Sequence, residues 1–128
     1  MSLRDQLHVM VVDDMSVSRG LIVQALEWMG IRNIAVQNDA TQAGRTLAGA
    51  PVHLVISDYN MPGASGLDLL EMLRKTPATQ RIGFILITGK ADRAVVELGQ
   101  ALGMNNFITK PFTPEQLKTC IERVVGRL

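Results

Sequence analysis

The sequence has few of the residues and patterns that mark several large classes of protein. Its 128 residues include one cysteine, Cys120, which excludes an internal disulfide and a zinc site made of cysteines alone. No apolar run approaches the roughly 18 residues that a membrane-spanning helix needs. Thirteen basic and twelve acidic side chains leave a net charge of +1, which argues against a protein that coats nucleic acid or an anionic membrane. We therefore expect a soluble cytoplasmic protein with no membrane insertion and no nucleic-acid partner.

The chain also lacks the signals that divide a protein into parts. Its first apolar run, from Val9 to Val12, is too short for a signal peptide and ends at Asp13 and Asp14. There is no low-complexity segment and no linker rich in proline or serine. The sequence therefore predicts one domain over residues 1–128. Because this leaves little length for an output domain, we expect the output to be a protein surface.

Five short runs along the chain have the composition of β-strands. Three of them are apolar at consecutive positions, which is typical of strands covered on both faces in a parallel sheet. These runs are residues 8–12, 52–56 and 84–87. The other two, residues 34–36 and 107–109, are shorter and flanked by polar residues, so we predict that they are edge strands.

Helical patterns fill the intervals between these runs. In the first interval, Val17, Leu21, Ala25 and Trp28 recur at helical spacing, and Gly30 follows as a stop. Polar residues that commonly cap helices precede three of the later patterns: Asp39, Ser65 and Thr113. A further pattern ends at Gly103. Five helices are therefore predicted.

The last helix has the clearest start. Thr113 is a candidate N-cap, Pro114 takes the first helical position, and Gln116 stands three residues after the cap. We predict that this helix continues to Leu128. The alternation of strands and helices predicts an α/β fold, a flavodoxin-like three-layer sandwich. Its five-stranded parallel sheet would have the order 2-1-3-4-5, with five helices.

Polar side chains follow four of the predicted strands at the points where they end. Asp13 and Asp14 follow the first strand, Asp58 the third, Thr88 the fourth and Lys110 the fifth. Each alone has an ordinary explanation as a helix cap, a turn residue, a strand residue or a surface lysine. Because the carboxyl ends of parallel strands share one edge of the sheet, we expect all five to converge there.

Convergence of these groups would create an electrostatic problem that a metal ion can solve. The carboxylates of Asp13, Asp14 and Asp58 carry a formal charge of −3, and Lys110 reduces it to −2. A divalent cation would neutralise the remainder, and oxygen ligands favour Mg²⁺. Beside such a metal, Asp58 is a candidate nucleophile for a phosphoryl group, with Lys110 and Thr88 placed to contact its oxygens. The sequence has no P-loop and no G-x-G-x-x-G motif.

These residues resemble those of response-regulator receiver domains, and most closely the stand-alone chemotaxis regulators. The resemblance extends from Val9 to Leu128. The matching motifs are Val11-Val12-Asp13-Asp14, Ile56-Ser57-Asp58-Tyr59-Asn60-Met61-Pro62, Thr88 and Lys110-Pro111-Phe112.

The resemblance implies a role for each site residue. Asp58 would accept a phosphoryl group from a phosphohistidine of a chemotaxis-type histidine kinase. Asp14, Asp58 and the backbone carbonyl of Asn60 would bind Mg²⁺ directly, and Asp13 would bind it through a water molecule. Lys110 would contact the phosphoryl group and precede a cis peptide bond to Pro111. The domain would catalyse its own phosphorylation and dephosphorylation, but as a signalling module and not an enzyme.

The resemblance also implies a conformational switch. Thr88 would move toward the phosphoryl group, and Phe107 would swing inward with it. This would reshape the face formed by the fourth predicted helix, the fifth strand and the fifth helix. The expected target of that face is the flagellar motor switch protein, a dedicated phosphatase is a possible further partner, and we expect a monomer.

Three positions depart from the family pattern. Phe107 replaces a tyrosine that is common in chemotaxis regulators, so a partner contact through its hydroxyl would be lost. Ser65 stands where many relatives carry aspartate, and helix capping explains either residue. Gly89 follows Thr88 where an alanine is common, and Lys90 comes next. Both residues could change the rate of dephosphorylation.

The sequence is also compatible with other functions. The chain could be a phosphate sink or phosphorelay shuttle that never binds the motor. A metal-dependent phosphatase is disfavoured because no substrate pocket is evident and the D-x-D arrangement is absent. A receiver that works without phosphorylation is disfavoured because all five site residues are present.

Overall fold

Five parallel strands alternate with helices along the chain, as predicted. The computed structural model describes residues 2–89 and 92–128. Its strands are β1 (His8–Val12), β2 (Asn33–Gln37), β3 (Leu54–Asp58), β4 (Gly83–Thr88) and β5 (Asn106–Thr109). They form one sheet of order β2-β1-β3-β4-β5, which confirms the predicted topology and places β2 and β5 at the edges.

Six helices are described instead of the predicted five. They are α1 (Leu3–Gln6), α2 (Ser16–Trp28), α3 (Ala40–Gly49), α4 (Gly66–Lys75), α5 (Arg93–Leu102) and α6 (Pro114–Val125). The additional helix, α1, has four residues, which is too short for an apolar repeat to reveal it. The prediction that the last helix reaches Leu128 was wrong. Gly126, with φ of 101°, ends it in a backbone conformation that favours glycine.

The predicted helix starts have a structural basis in side-chain caps. Asp39, Ser65 and Thr113 each accept a hydrogen bond from the backbone N–H three residues later. At Ser65 and Thr113 the third residue after the cap, Asp68 or Gln116, reciprocates and completes a capping box. The capping explanation for Ser65 is therefore confirmed.

Neighbouring residues of β1 belong to two different apolar clusters. Val9 and Val11 lie on the side that α2 and α6 cover, and Met10 and Val12 lie on the side of α3, α4 and α5. All four are at most 1% exposed. Because side chains alternate across a strand, a strand with a layer on each face is apolar at every position.

The apolar repeat that predicted α2 lies mostly on its outer face. Val17 is 73% exposed, Leu21 61% and Trp28 59%. The buried residues of the helix are Ile22, Ala25 and Leu26. Apolar residues occur on both sides of α2, so periodicity establishes the helix but does not decide which side packs on the sheet.

Two further findings concern the helices. None of the helices in the described part of the chain is long and apolar enough to cross a membrane. Cys120 is buried on α6, and its burial raises the pKa of the thiol to about 11. A thiol with such a pKa is mostly protonated at neutral pH, so Cys120 serves as a packing residue.

Candidate functional site

The sheet register brings the ends of four strands together. Val12 pairs with Ser57, Asp58 with Ile87, and Thr88 with Thr109. The residues that immediately follow β1 and β5 therefore lie at the same edge as the last residues of β3 and β4.

Asp13, Asp14 and Asp58 converge at this edge. One carboxylate oxygen from each lies within 4.8 Å of the others. Asp13 is completely buried, Asp58 is 6% exposed, and Asp14 is half-buried. The clustering of oxygen donors that the sequence predicted is thus present, and an all-carboxylate donor set of this charge suits Mg²⁺.

Lys110 reaches into the carboxylate cluster from the end of β5. Its Nζ lies 3.2 Å from Oδ1 of Asp58 and 3.9 Å from Oδ2 of Asp13. The backbone N–H of Lys110 donates to the carbonyl of Thr88 at 2.8 Å, which anchors this residue to β4. The peptide bond between Lys110 and Pro111 is cis, as the resemblance implies.

The pKa of Asp58 is raised above its ordinary value. Burial of the carboxyl is the largest cause, and the Lys110 ammonium opposes it. The neighbouring carboxylates of Asp13 and Asp14 raise the pKa further. The folded protein therefore disfavours a negative charge on Asp58, and a cation beside it would relieve this cost.

Two backbone contacts hold the end of β3, where Asp58 lies. The N–H of Tyr59 donates to the carbonyl of Ile87 at 2.8 Å, which extends the sheet pairing past Asp58. Gly66 begins α4 directly against Asp58, and a Cβ at Gly66 would lie 2.4 Å from the Asp58 carbonyl oxygen. A side chain at position 66 would therefore force the start of α4 and the end of β3 apart.

Thr88 and Phe107 lie on adjacent strands beside this site. Thr88 is the last residue of β4 and is 2% exposed. Phe107 is half-buried on β5, opposite Leu86, and packs against the cluster on the α4 and α5 side of the sheet. Beyond Thr88, a Cβ at Gly89 would meet nothing within 4 Å, so this position is open, while Lys90 lies outside the described residues.

The sequence did not predict the contacts that hold Asp13. Its Oδ1 accepts the N–H of Met15 at 3.0 Å, and its Oδ2 accepts the hydroxyl of Ser18. The carbonyl of Asp13 accepts Nη1 of Arg19 at 2.9 Å. The Ser18 hydroxyl also accepts a hydrogen bond from Lys110 Nζ at 3.1 Å. No motif marks Ser18, because its role depends on the approach of Lys110 from 92 residues away.

A groove of about 620 Å³ opens beside Lys110, along the outer face of α2, and none of the three clustered aspartates lines it. The exposed side chains of α2 and the residue before it line the groove, including Met15, Val17, Leu21 and Trp28. Periodicity assigned three of these residues to a helix, but only packing shows that they face outward. The mainly apolar lining is ill suited to charged phosphoesters, so a phosphatase remains disfavoured.

The geometry agrees with a comparison to known families. The sequence model of the family described as response regulator receiver domain matches residues 9–122 of this chain. The chain belongs to this family. Receiver domains signal in two-component systems, and the chain is a signalling protein of this type.

Relatives with similar sequences are chemotaxis proteins. A probable chemotaxis protein CheY of Rhizobium etli is 41% identical over 128 residues, which cover 100% of this chain and 99% of the relative. The chemotaxis protein CheY of Pseudomonas aeruginosa is 33% identical over 95% of this chain and 98% of its own.

Solved structures share the fold. The chemotaxis protein CheY4 of Vibrio cholerae matches with a TM-score of 0.85 and 25% identity, over 92% of this chain and 98% of its own. A response regulator of Desulfuromonas acetoxidans matches with a TM-score of 0.79 and 30% identity, over 91% and 94%.

Proposed function

We propose that residues 1–128 act as a single-domain chemotaxis response regulator that is phosphorylated on Asp58. The observation that carries this proposal is the buried Asp58 carboxylate, 3.2 Å from Lys110 and within 4.8 Å of two further carboxylates. Chemotaxis proteins that match nearly their whole length to this chain support the cellular role.

The metal would be held by the acidic cluster. Asp14, Asp58 and the carbonyl of Asn60 would bind Mg²⁺ directly, and Asp13 would bind it through water. When bound, Mg²⁺ would neutralise the carboxylates and the oxygens of the incoming phosphoryl group. The same neutralisation favours the ionised form of Asp58, which is the nucleophilic form.

The reaction is a transfer between two side chains. An oxygen of the Asp58 carboxylate attacks phosphorus, the bond from phosphorus to the imidazole nitrogen of a histidine kinase breaks, and the electron pair of that bond stays on the nitrogen. Lys110 holds one phosphoryl oxygen as charge develops, and the hydroxyl of Thr88 holds another. Hydrolysis of the acyl phosphate by water, with or without a partner phosphatase, restores Asp58.

The phosphoryl group on Asp58 would carry about −1.5 to −2 charge, in place of the single negative charge of the carboxylate, at the edge formed by β3 and β4. Thr88 on β4 and Lys110 after β5 are the groups placed to bond the phosphoryl oxygens. We therefore expect the ends of both strands to change position on phosphorylation. Phe107 is half-buried on β5 and packs against the core cluster on the α4 and α5 side of the sheet. Its change of packing would carry the response to the face formed by α5, β5 and α6. We propose that this face binds the flagellar motor switch protein.

The phosphoacceptor is tested by intact mass. Incubation of the wild type with Mg²⁺ and a small phosphodonor is expected to yield one phosphoryl adduct, stable in acid and labile in base. Asp58→Asn should yield none. A stoichiometric adduct on this variant would remove Asp58 from the role, and steady turnover of diverse phosphoesters would favour a phosphatase instead.

The target is tested by binding. The affinity for a peptide of the motor switch protein, measured with and without phosphodonor, is expected to rise on phosphorylation. A phosphorylated protein with unchanged or absent affinity would instead be a phosphate sink or phosphorelay shuttle.

A further inference from the structure

The hydroxyl of Ser18 lies between Lys110 and Asp13. Lys110 Nζ lies 3.1 Å from Ser18 Oγ, which in turn donates to Asp13 Oδ2. Lys110 Nζ and Asp13 Oδ2 are 3.9 Å apart, beyond the distance of a direct hydrogen bond. The serine hydroxyl therefore connects an ammonium and a carboxylate that do not themselves bond.

The directions of both hydrogen bonds follow from the chemistry of the groups. A serine hydroxyl has one proton to donate and lone pairs to accept, an ammonium can only donate, and an ionised carboxylate can only accept. Ser18 must therefore accept from Lys110 and donate to Asp13. Within residues 2–89 and 92–128, Lys110 bonds Ser18 and Asp58 with two of its three N–H groups, and the third can bond a phosphoryl oxygen.

Ser18 is held in place by a regular element. It is the third residue of α2, whose first residue is Ser16, and it is half-buried. Lys110, by contrast, has a flexible four-carbon stem, and 31% of its side chain is exposed. The buried carboxylate of Asp13 competes with that of Asp58 for the Lys110 ammonium.

We propose that Ser18 is a positioning residue for phosphoryl transfer to Asp58. Its hydroxyl satisfies Asp13 and holds the Lys110 ammonium against Asp58, so that the cation is already placed when the phosphoryl group arrives. This role rests on the proposed function, because it has meaning only where Asp58 is phosphorylated. It acts through Lys110 and does not itself contact the reacting atoms.

The test compares initial rates of phosphorylation from a small phosphodonor at saturating Mg²⁺. Ser18→Ala is expected to slow the reaction roughly tenfold. This is the lower end of the effects seen for residues that hydrogen-bond a site residue without contacting the reacting atoms. Ser18→Thr keeps the hydroxyl and should restore most of the rate. Ser16→Ala, which alters an exposed serine of the same helical turn, is the matched control and should leave the rate unchanged.

A double-mutant cycle separates positioning from a general structural role. In a Lys110→Ala background, Ser18→Ala should cause no further loss, because the group it positions is absent. Equal slowing by Ser18→Ala in both backgrounds overturns the proposal, as does an unchanged rate in Ser18→Ala alone or a Ser18→Thr variant as slow as Ser18→Ala.

The same data separate this inference from the proposed function. If the wild type takes up no phosphoryl group, both are overturned. If it does so and only the Ser18 variants behave otherwise than expected, the role of Ser18 fails and the phosphorylation of Asp58 stands.

Discussion

The ends of β1 and β3 carry the same side chain in two different environments. After β1, both carboxylate oxygens of Asp13 accept hydrogen bonds from residues close by in the sequence. The donors are the N–H of Met15 and the hydroxyl of Ser18. At the end of β3, Asp58 is paired with the Lys110 ammonium, and its pKa is raised, mainly by burial. One carboxylate is thus held in place as a fixed charge, whereas the other is left in an environment that a metal and a phosphoryl group would improve.

This difference supports the proposal that Asp58, and not Asp13, is the aspartate that reacts. A carboxylate oxygen that attacks phosphorus must give up its present hydrogen bonds. Both oxygens of Asp13 accept hydrogen bonds from Met15 and Ser18, so Asp13 would lose one of these bonds on reaction. Asp58 loses less, because its partner Lys110 has a further N–H that can bond a phosphoryl oxygen. Four predictions test this difference, in order of decreasing expected effect.

The largest effect concerns the phosphoryl adduct itself. Asp58→Asn should form no adduct at any Mg²⁺ concentration, whereas Asp13→Asn should still form one but need about 10- to 100-fold more Mg²⁺. Intact mass across a Mg²⁺ titration measures both. An Asp13→Asn variant that forms no adduct even at high Mg²⁺ would show that the two aspartates do not differ in this way.

Removal of the cation is next in size. Lys110→Ala should slow phosphorylation from a small phosphodonor by about 10²- to 10³-fold, the usual cost of losing one donor to a developing charge. Lys75→Ala, which removes an exposed lysine of α4, is the control and should leave the rate unchanged. If Lys110→Ala keeps the wild-type rate, the ion pair with Asp58 serves only to stabilise the fold.

Magnesium should stabilise the protein against unfolding. At a concentration 100 times the Kd, a ligand that binds only the native state adds about 2.7 kcal/mol to the free energy of unfolding. Urea titrations with Mg²⁺ and with a chelator measure this difference. At that same Mg²⁺ concentration the gain should be smaller in Asp13→Asn, and an equal gain in both proteins would exclude Asp13 from the metal site.

The smallest effect is on stability without metal. Because the pKa of Asp58 is raised, its ionisation opposes folding, so this contribution is absent below the ordinary pKa and grows as the pH rises through the raised pKa. With Mg²⁺ removed at neutral pH, Asp58→Asn should therefore raise the free energy of unfolding by roughly 0.5–2 kcal/mol.

Asp13→Asn should lower the stability under the same conditions. An amide offers one acceptor oxygen where the carboxylate has two, so either Met15 or Ser18 loses its bond. Denaturation of the two variants side by side checks both signs, and a destabilised Asp58→Asn would mean that its pairing with Lys110 outweighs the cost of burial.

The composition of the strands was enough to predict the sheet. In β1, residues 9–12 belong alternately to the two core clusters, and such an unbroken apolar run occurs where layers cover both faces of a strand. The polar residues that interrupt these runs, Asp13, Asp58 and Thr88, then had to lie at one edge of the sheet. Helix starts were equally local, because a cap such as Thr113 acts within three residues of itself.

Tertiary structure alone decided the features that depend on which segments meet. It determined that α2 buries Ile22 and exposes Val17 and Trp28, since apolar residues occur on both sides of the helix. It brought Ser18 against Lys110, and it raised the pKa of Asp58 through burial. A hydrogen bond between residues 92 positions apart leaves no local trace, because its two partners acquire a shared environment only when the sheet forms. The sequence thus predicts the charged residues that meet at the edge of the sheet, whereas the fold brings Ser18 to them and decides how the carboxylates differ.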